Sequence, residues 1–223
     1  VELIRQLSPT DETLCTYIDV LDRQSTRLKK LIDDLLEASK ASSGVLNVIP
    51  APCEVGVLLE QVQGEYAERL HAHDLHLIVQ TPDKTLTVLA DGRHLGRIFD
   101  NLMNNIIKYA QPGTRVYLDA RAGLDPAAPG GSRPVAVITF RNVSAEPLNI
   151  PAEELLERFV RGDASRHTEG SGLGLAIVQS LTELQGGSLQ LAIDGDLFKV
   201  RLTFPLYTPA DAAQAASSGK ETP

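Results

Sequence analysis

Leucine recurs every seven residues at Leu14, Leu21, Leu28 and Leu35, and no other feature restricts the fold of this chain as much. Tyr17, Gln24, Leu31 and Ala38 fill the alternate positions, and Ile18 and Ile32 widen the stripe. A heptad pattern sustained this long is the seam of a helical bundle rather than the face of a helix lying on a sheet. The spacing predicts one long helix over 8–41, with Ser8 or Thr10 as its cap and Pro9 in the first turn. Ser42-Ser43-Gly44 ends it, with the glycine just past the last turn. The competing reading is a single amphipathic helix packed on its own domain.

From Leu46 onward the pattern becomes mixed. Val45–Ile49, Leu75–Gln80 and Thr85–Leu89 read as strands, and Val55–Leu70 reads as a helix between them. Asp91 caps a further helix carrying the apolar stripe Leu95, Phe99, Leu102, Ile106 and Tyr109. Arg115–Arg121 and Pro134–Asn142 read as strands around a loop rich in glycine and proline. Ser188–Ile193 and Leu197–Phe204 flank Asp194-Gly195, a strong hairpin signal. The tail after Tyr207 is small and polar, the composition of a disordered segment.

Charge and composition remove several function classes. With 21 Lys and Arg against 29 Asp and Glu the chain carries a net charge of −8, which repels a phosphate backbone and sets nucleic-acid binding aside. Cys15 and Cys53 are too few for a disulfide framework or a metal cluster and suit a reducing compartment. No apolar run reaches the ~18 residues of a membrane span and no signal peptide is evident. The chain opens at Val1 without a methionine, so it is expected to be a piece of something longer. His71, His73 and His76 lack a cysteine or paired carboxylate in ligand spacing and read as surface residues. Asp194 and Asp196 lack a loop-closing glutamate and read as a turn.

Two stretches carry chemistry. The first, ERFVRGDASRHTEGSGLGLAIVQSL over 157–181, runs from Phe159 through a polar loop with Arg161 and Arg166. It then passes three alternate glycines, Gly170, Gly172 and Gly174, straight into an apolar helical segment. Glycines let the backbone approach an anion, and the free N–H groups of the following helix point at it. A P-loop would need Gly-Lys-Ser/Thr and a dinucleotide fingerprint another spacing, so both fail. Taken alone, the loop is equally compatible with simple helix-start punctuation. In the second stretch, Asn101, Asn105 and Lys108 share one face of the helix that Asp91 caps. Two carboxamides and an ammonium on one face suit a magnesium-bound phosphate better than packing. A solvated face with incidental asparagines is the alternative.

Together these stretches resemble bacterial sensor histidine kinases. NLMNNIIKYA is similar to the N box, the stretch over 157–181 resembles the F box, ATP lid and second glycine box, and LDRQSTRLKKLIDDLLEASKASSG is similar to the second helix of the dimerisation and phosphotransfer hairpin. The resemblance covers residues 10–206. It implies an α+β fold, a two-layer α/β sandwich of the histidine kinase/GHKL ATP-binding type with a mixed sheet covered on one face by helices and a long dimerisation helix in front. The implied division is 1–44 for a partial dimerisation and phosphotransfer hairpin, 45–207 for a catalytic ATP-binding domain and 208–223 for a disordered tail. It implies Asn105 as the Mg²⁺ ligand, Asn101 and Lys108 on the ATP phosphates, and Tyr109 beside the purine. Gly170, Gly172, Leu173 and Gly174, with Arg161 and Arg166, belong to the implied lid.

Two departures stand out. Where the family carries Asp-x-Gly-x-Gly, whose Asp accepts from the adenine amino group, this chain has Asn142-Val143-Ser144. Asn142 offers an amide oxygen without the charge. The family also phosphorylates an H-box histidine, and none of His71, His73, His76, His94 or His167 has that context. The expectation is therefore the ATP-binding part of a cytoplasmic kinase whose acceptor histidine, and any membrane-spanning sensor, precede Val1. Such a fragment would be unable to phosphorylate itself. The resemblance implies a homodimer through the N-terminal helix and a response-regulator receiver domain as partner. Asn101 stands where ATP-hydrolysing relatives carry a glutamate, so fast free hydrolysis is not expected. A nucleotide-poor scaffold or phosphatase-biased module docking a regulator, and an ATPase or serine kinase of the wider superfamily, are the rivals; the heptad seam argues against the last.

Overall fold

The computed structural model describes residues 12–42, 45–81, 85–125, 132–157 and 172–207. The heptad segment is one helix, α1 (Glu12–Ser42). Of its stripe, Leu14, Tyr17, Leu21, Leu28 and Leu35 are exposed, whereas Ile18 and Asp34 are buried. Helix α1 therefore lays only a narrow edge on the rest of the molecule and leaves its leucine seam uncovered.

The α/β part has two layers. A five-stranded sheet is formed by β2 (His76–Gln80), β4 (Arg115–Asp125), β5 (Arg133–Val143), β6 (Ser188–Asp194) and β7 (Leu197–Pro205) in the order β2-β4-β5-β7-β6. β2 and β4 run parallel and every other pair is antiparallel, as a mixed sheet requires. A two-stranded ribbon, β1 (Ala51–Glu54) with β3 (Thr87–Ala90), joins β7 through a bridge between Val88 and Leu206. Helices α2 (Val55–Ala72), α3 (Gly92–Tyr109) and α5 (Gly174–Leu184) carry the core on one face of the sheet, and α4 (Ala152–Leu155) is a single turn.

Alternation decides which side of each strand is buried. Val116, Leu118 and Ala120 of β4 and Ala136, Ile138 and Phe140 of β5 point at the helices. They meet Leu95, Phe99, Leu102 and Ile106, all on one stripe of α3. Phe99 and Phe140 pack as a tilted aromatic pair with centroids 5.6 Å apart. Tyr66 of α2 donates to Asp100 of α3 at 2.9 Å, and its phenol is pushed up to about 12, by burial first and then by that carboxylate. Gly186 (φ 73) closes α5 in the left-handed conformation, and Gly195 (φ 58) serves the tight β6–β7 hairpin.

One sequence expectation fails. Val45–Ile49 forms no strand; pairing starts at Ala51 despite Pro52, which sits on the edge of a two-stranded ribbon where a missing N–H is tolerated. The backbone of 45–49 finds scattered partners instead, with Val45 N donating to Lys40 O at 3.1 Å. Ile49 N donates to Asp91 Oδ2 at 3.0 Å and Asn47 O meets His94 Nε2 at 3.3 Å. The tail, 208–223, lies outside the described residues.

Candidate nucleotide site

Helix α3 positions the site, and Asp91 positions α3. The buried Asp91 carboxylate caps the helix by accepting from Arg93 N at 3.0 Å, while its own N–H donates to Gln185 Oε1 at 2.8 Å. The Arg93 guanidinium, and the backbone N–H groups of Ile49 and Arg93, hold the carboxyl well below the usual carboxylate range. Asp91 thus joins the linker, the start of α3 and the end of α5.

Further along α3, Asn101 and Asn105 lie one turn apart on the face turned to α5. Asn101 Nδ2 donates to Arg97 O at 2.8 Å, which commits its amine and orients its oxygen. The start of α5 meets this face so closely that a Cβ on Gly174 would lie 3.3 Å from Asn101 Oδ1 and 3.7 Å from both polar atoms of Asn105. Glycine is what allows the first turn of α5, whose leading N–H groups have no partner within the helix itself, to approach the two amides. Gly172 has φ 70, a conformation glycine adopts without strain, and Leu173 is buried as the anchor behind it. Two acceptor oxygens beside a helix N-terminus form a donor and acceptor set for a cation-bound polyphosphate.

The remaining expected residues sit at the other end of α3. Lys108 bends back from the Asn101 face: its Nζ donates to Tyr109 Oη at 2.6 Å and lies 4.5 Å from the Tyr109 ring centroid. Ala145 N donates to Tyr109 O and Gln111 N to Val143 O, which staples the end of α3 to the end of β5. Asn142 lies buried one residue before that staple, and its Nδ2 donates to Val143 O at 3.2 Å. Its side-chain acceptor is Oδ1. Arg161, Arg166 and Gly170 lie outside the described residues. His71, His73 and His76 are all exposed, and no group of three or more His, Cys, Asp or Glu is placed to hold a metal among the described residues. An open cleft of about 490 Å³ lined by Val48, Pro50, Leu89, Gln185 and Leu206 lies at the opposite end of α5 from Gly174. The described residues that gather the amides lie elsewhere.

Sequence reasoning missed Arg97. It forms an ion pair with Asp34 of α1 at 2.5 Å, and Asp34 is buried. Asp34 falls beside the heptad stripe, between Leu31 and Leu35, where a charged residue is ordinary, so the sequence carried no signal for the pair.

Comparison with known proteins gives the family directly. Residues 90–208, more than half of the chain, match the family described as histidine kinase-, DNA gyrase B-, and HSP90-like ATPase. The chain belongs to that family. The relatives it matches are sensor histidine kinases. It is 31% identical over 189 residues to the signal transduction histidine-protein kinase BaeS of Escherichia coli (strain K12), covering 83% of this chain and 37% of that protein. It is 27% identical over 199 residues to the sensor protein VanS of Enterococcus faecium, covering 88% and 49%. The chain thus spans less than half the length of these relatives. The fold is shared with full-length ShkA, solved in complex with AMPPNP, at a TM-score of 0.73 and 23% identity, covering 90% of this chain and 40% of that one. The GHKL-type ATPase fold, a mixed sheet under a layer of helices, agrees with this family.

Proposed function

We propose that the chain is the catalytic ATP-binding portion of a two-component sensor histidine kinase, which passes the ATP γ-phosphoryl group to a histidine and onward to a response regulator. The observation that carries the reading is the approach of Gly174 to Asn101 and Asn105, which sets the N-terminus of α5 over two amide oxygens. Asn105 is the proposed Mg²⁺ ligand. Asn101, Lys108, Gly172, Gly174 and the described start of α5 hold phosphates, and Tyr109 with Asn142 receives the adenine. Lys108 must swing from Tyr109 to reach a phosphate, a rotamer change open to a half-buried lysine. Mg²⁺ held by Asn105 would supply positive charge that offsets the charge of the phosphates during transfer. The nucleophile is an imidazole nitrogen that attacks the γ-phosphorus as ADP leaves; none of the five histidines here has the acceptor context, so the acceptor is supplied from elsewhere.

In this reading 1–44 is part of the dimerisation and phosphotransfer hairpin, 45–207 is the catalytic domain and 208–223 a tail. The uncovered leucine seam of α1 supports a homodimer, with a receiver domain as the phosphoryl recipient. No described helix is long and apolar enough to cross a membrane; a cytoplasmic location, with any membrane contact made by an upstream segment, belongs to the same proposal.

Calorimetric titration of ATP with Mg²⁺ into the wild type and Asn105→Ala tests the site. Binding that weakens at least about tenfold in the variant, ~1.4 kcal/mol, supports it. A second reading, a nucleotide-poor scaffold that docks a regulator, draws on Asn142, whose neutral amide replaces the family's charged acceptor. Absence of heat with both proteins would favour the scaffold. A histidine-bearing partner chain that takes no label from ATP and Mg²⁺ would remove the kinase assignment from this stretch of protein.

A further inference from the structure

The helices cover one face of the five-stranded sheet, and the other face concentrates positive charge. Alternation places Tyr117, Asp119 and Arg121 of β4 on that outer face, opposite to their buried neighbours Val116, Leu118 and Ala120. Register then sets Arg141 of β5 between Tyr117 and Lys199, and Arg201 of β7 beside Thr139 in the next row. Across three central strands Arg121, Arg141, Lys199 and Arg201 surround one carboxylate, Asp119, in a chain whose net charge is −8.

Two observations distinguish this patch from scattered surface charge. Arg141 and Lys199 are directly opposed on neighbouring strands. Like charges in that relation destabilise a sheet by roughly 0.2–1 kcal/mol, so folding gains nothing from the pair. Second, the patch is under-neutralised. Arg141 donates one guanidinium N–H to Asp119 Oδ1 at 2.6 Å, yet the Nε atoms of both Arg141 and Arg201 are buried without a hydrogen-bond partner among the described residues. The Nε atoms themselves are closed to solvent, but each orphaned donor leaves its guanidinium charge incompletely offset within the fold, charge that an anion at the terminal nitrogens would balance.

We propose that this outer sheet face docks an acidic protein surface, one presenting neighbouring carboxylates to Arg121, Arg141, Lys199 and Arg201. Guanidinium forks match carboxylates in paired hydrogen bonds. The Arg141 guanidinium is pre-set for this by lying 5.1 Å from the Tyr117 ring centroid. Val137 and Thr139 are buried on the floor between the cations, so the long side chains lie along the sheet instead of standing off it. A lipid surface would select the opposite: protruding flexible lysines interleaved with apolar side chains that insert.

The test uses fluorescent poly-L-glutamate of about 20 residues, with anionic phosphatidylserine vesicles in parallel. Wild type should bind the peptide and weaken severalfold as salt rises from about 50 to 300 mM, because screening shortens the reach of the cations. Arg121→Glu with Lys199→Glu, which leaves the Arg141–Asp119 pair intact, should weaken peptide binding at least about tenfold. ATP affinity and far-UV circular dichroism should stay unchanged. Asp119→Asn removes the competing carboxylate and should tighten peptide binding, whereas simple structural damage would weaken it. Equal peptide binding by wild type and the charge-reversed protein, or binding to vesicles but not peptide, overturns the proposal.

Discussion

Replacing Asp91 with alanine tests how far one buried carboxylate holds the α/β part together. Its oxygens cap α3 through Arg93 N and accept from Ile49 N, both at 3.0 Å. Loss of an N-cap costs about 1 kcal/mol, and loss of the Ile49 acceptor about 1 more. The Arg93 guanidinium is 68% exposed and adds little. The sum, about 2 kcal/mol, corresponds to a fall in Tm of about 4–8 °C for a chain of this size. Far-UV circular dichroism in urea is the suitable probe, because the chain has no tryptophan. Asp91→Asn should cost less, since asparagine caps a helix about as well. The pH dependence has a definite sign. Asp91 is held below its unfolded value, so as pH falls the unfolded chain takes the proton first and stability is lost. The gap between wild type and Asp91→Asn should be complete at pH 7 and narrow below about pH 4, where unfolded aspartate titrates. Equal stability of wild type and Asp91→Ala, or a gap that stays flat down to pH 3, would refute this account.

Three further outcomes follow from other parts of the molecule. Asn142→Asp should tighten ATP binding by about 3–10-fold and sharpen its preference over GTP, since a charged acceptor roughly doubles a hydrogen bond's strength; competition titration reads both. Gly187→Ala should destabilise by about 2–3 kcal/mol in urea, because its Cβ would lie 2.5 Å from the Thr203 carbonyl oxygen and 2.9 Å from the Phe204 ring. Leu21→Gln with Leu28→Gln should weaken self-association at least about tenfold by sedimentation, with little change in the domain's urea midpoint, because both leucines are exposed in the single chain.

Where a segment's partners are local or periodic, the sequence was readable. The stripe Leu95–Phe99–Leu102–Ile106 announced α3 and its buried face, and Asp194-Gly195 announced the β6–β7 hairpin. The amide face of α3 was equally visible, because Asn101 and Asn105 are one turn apart. Long-range polar partners were not. Val45–Ile49 has the composition of a strand, but Ile49 N and Asn47 O are taken by Asp91 and His94, more than forty residues away. The spacing of Lys108 places its Cα beside the asparagines, yet its ammonium finds the Tyr109 ring instead. Asp34 reads as an ordinary charged residue flanking the heptad, and only the fold shows that Arg97, 63 residues later, is its partner.

Helix α3 is consequently gripped at one end and carries the proposed nucleotide residues at the other. Asp34 holds Arg97, Asn47 meets His94 and Ile49 meets Asp91, all within the first two turns, while Asn101, Asn105 and Lys108 occupy the later ones. Arg97 belongs to both groups, since its guanidinium faces α1 and its carbonyl fixes Asn101. If nucleotide binds as proposed, Arg97 is the residue through which the seating of α1 and the orientation of Asn101 touch. Thermodynamic reciprocity then applies. Any preference of bound nucleotide for one seating of α1 must return as an equal factor by which that seating changes nucleotide affinity.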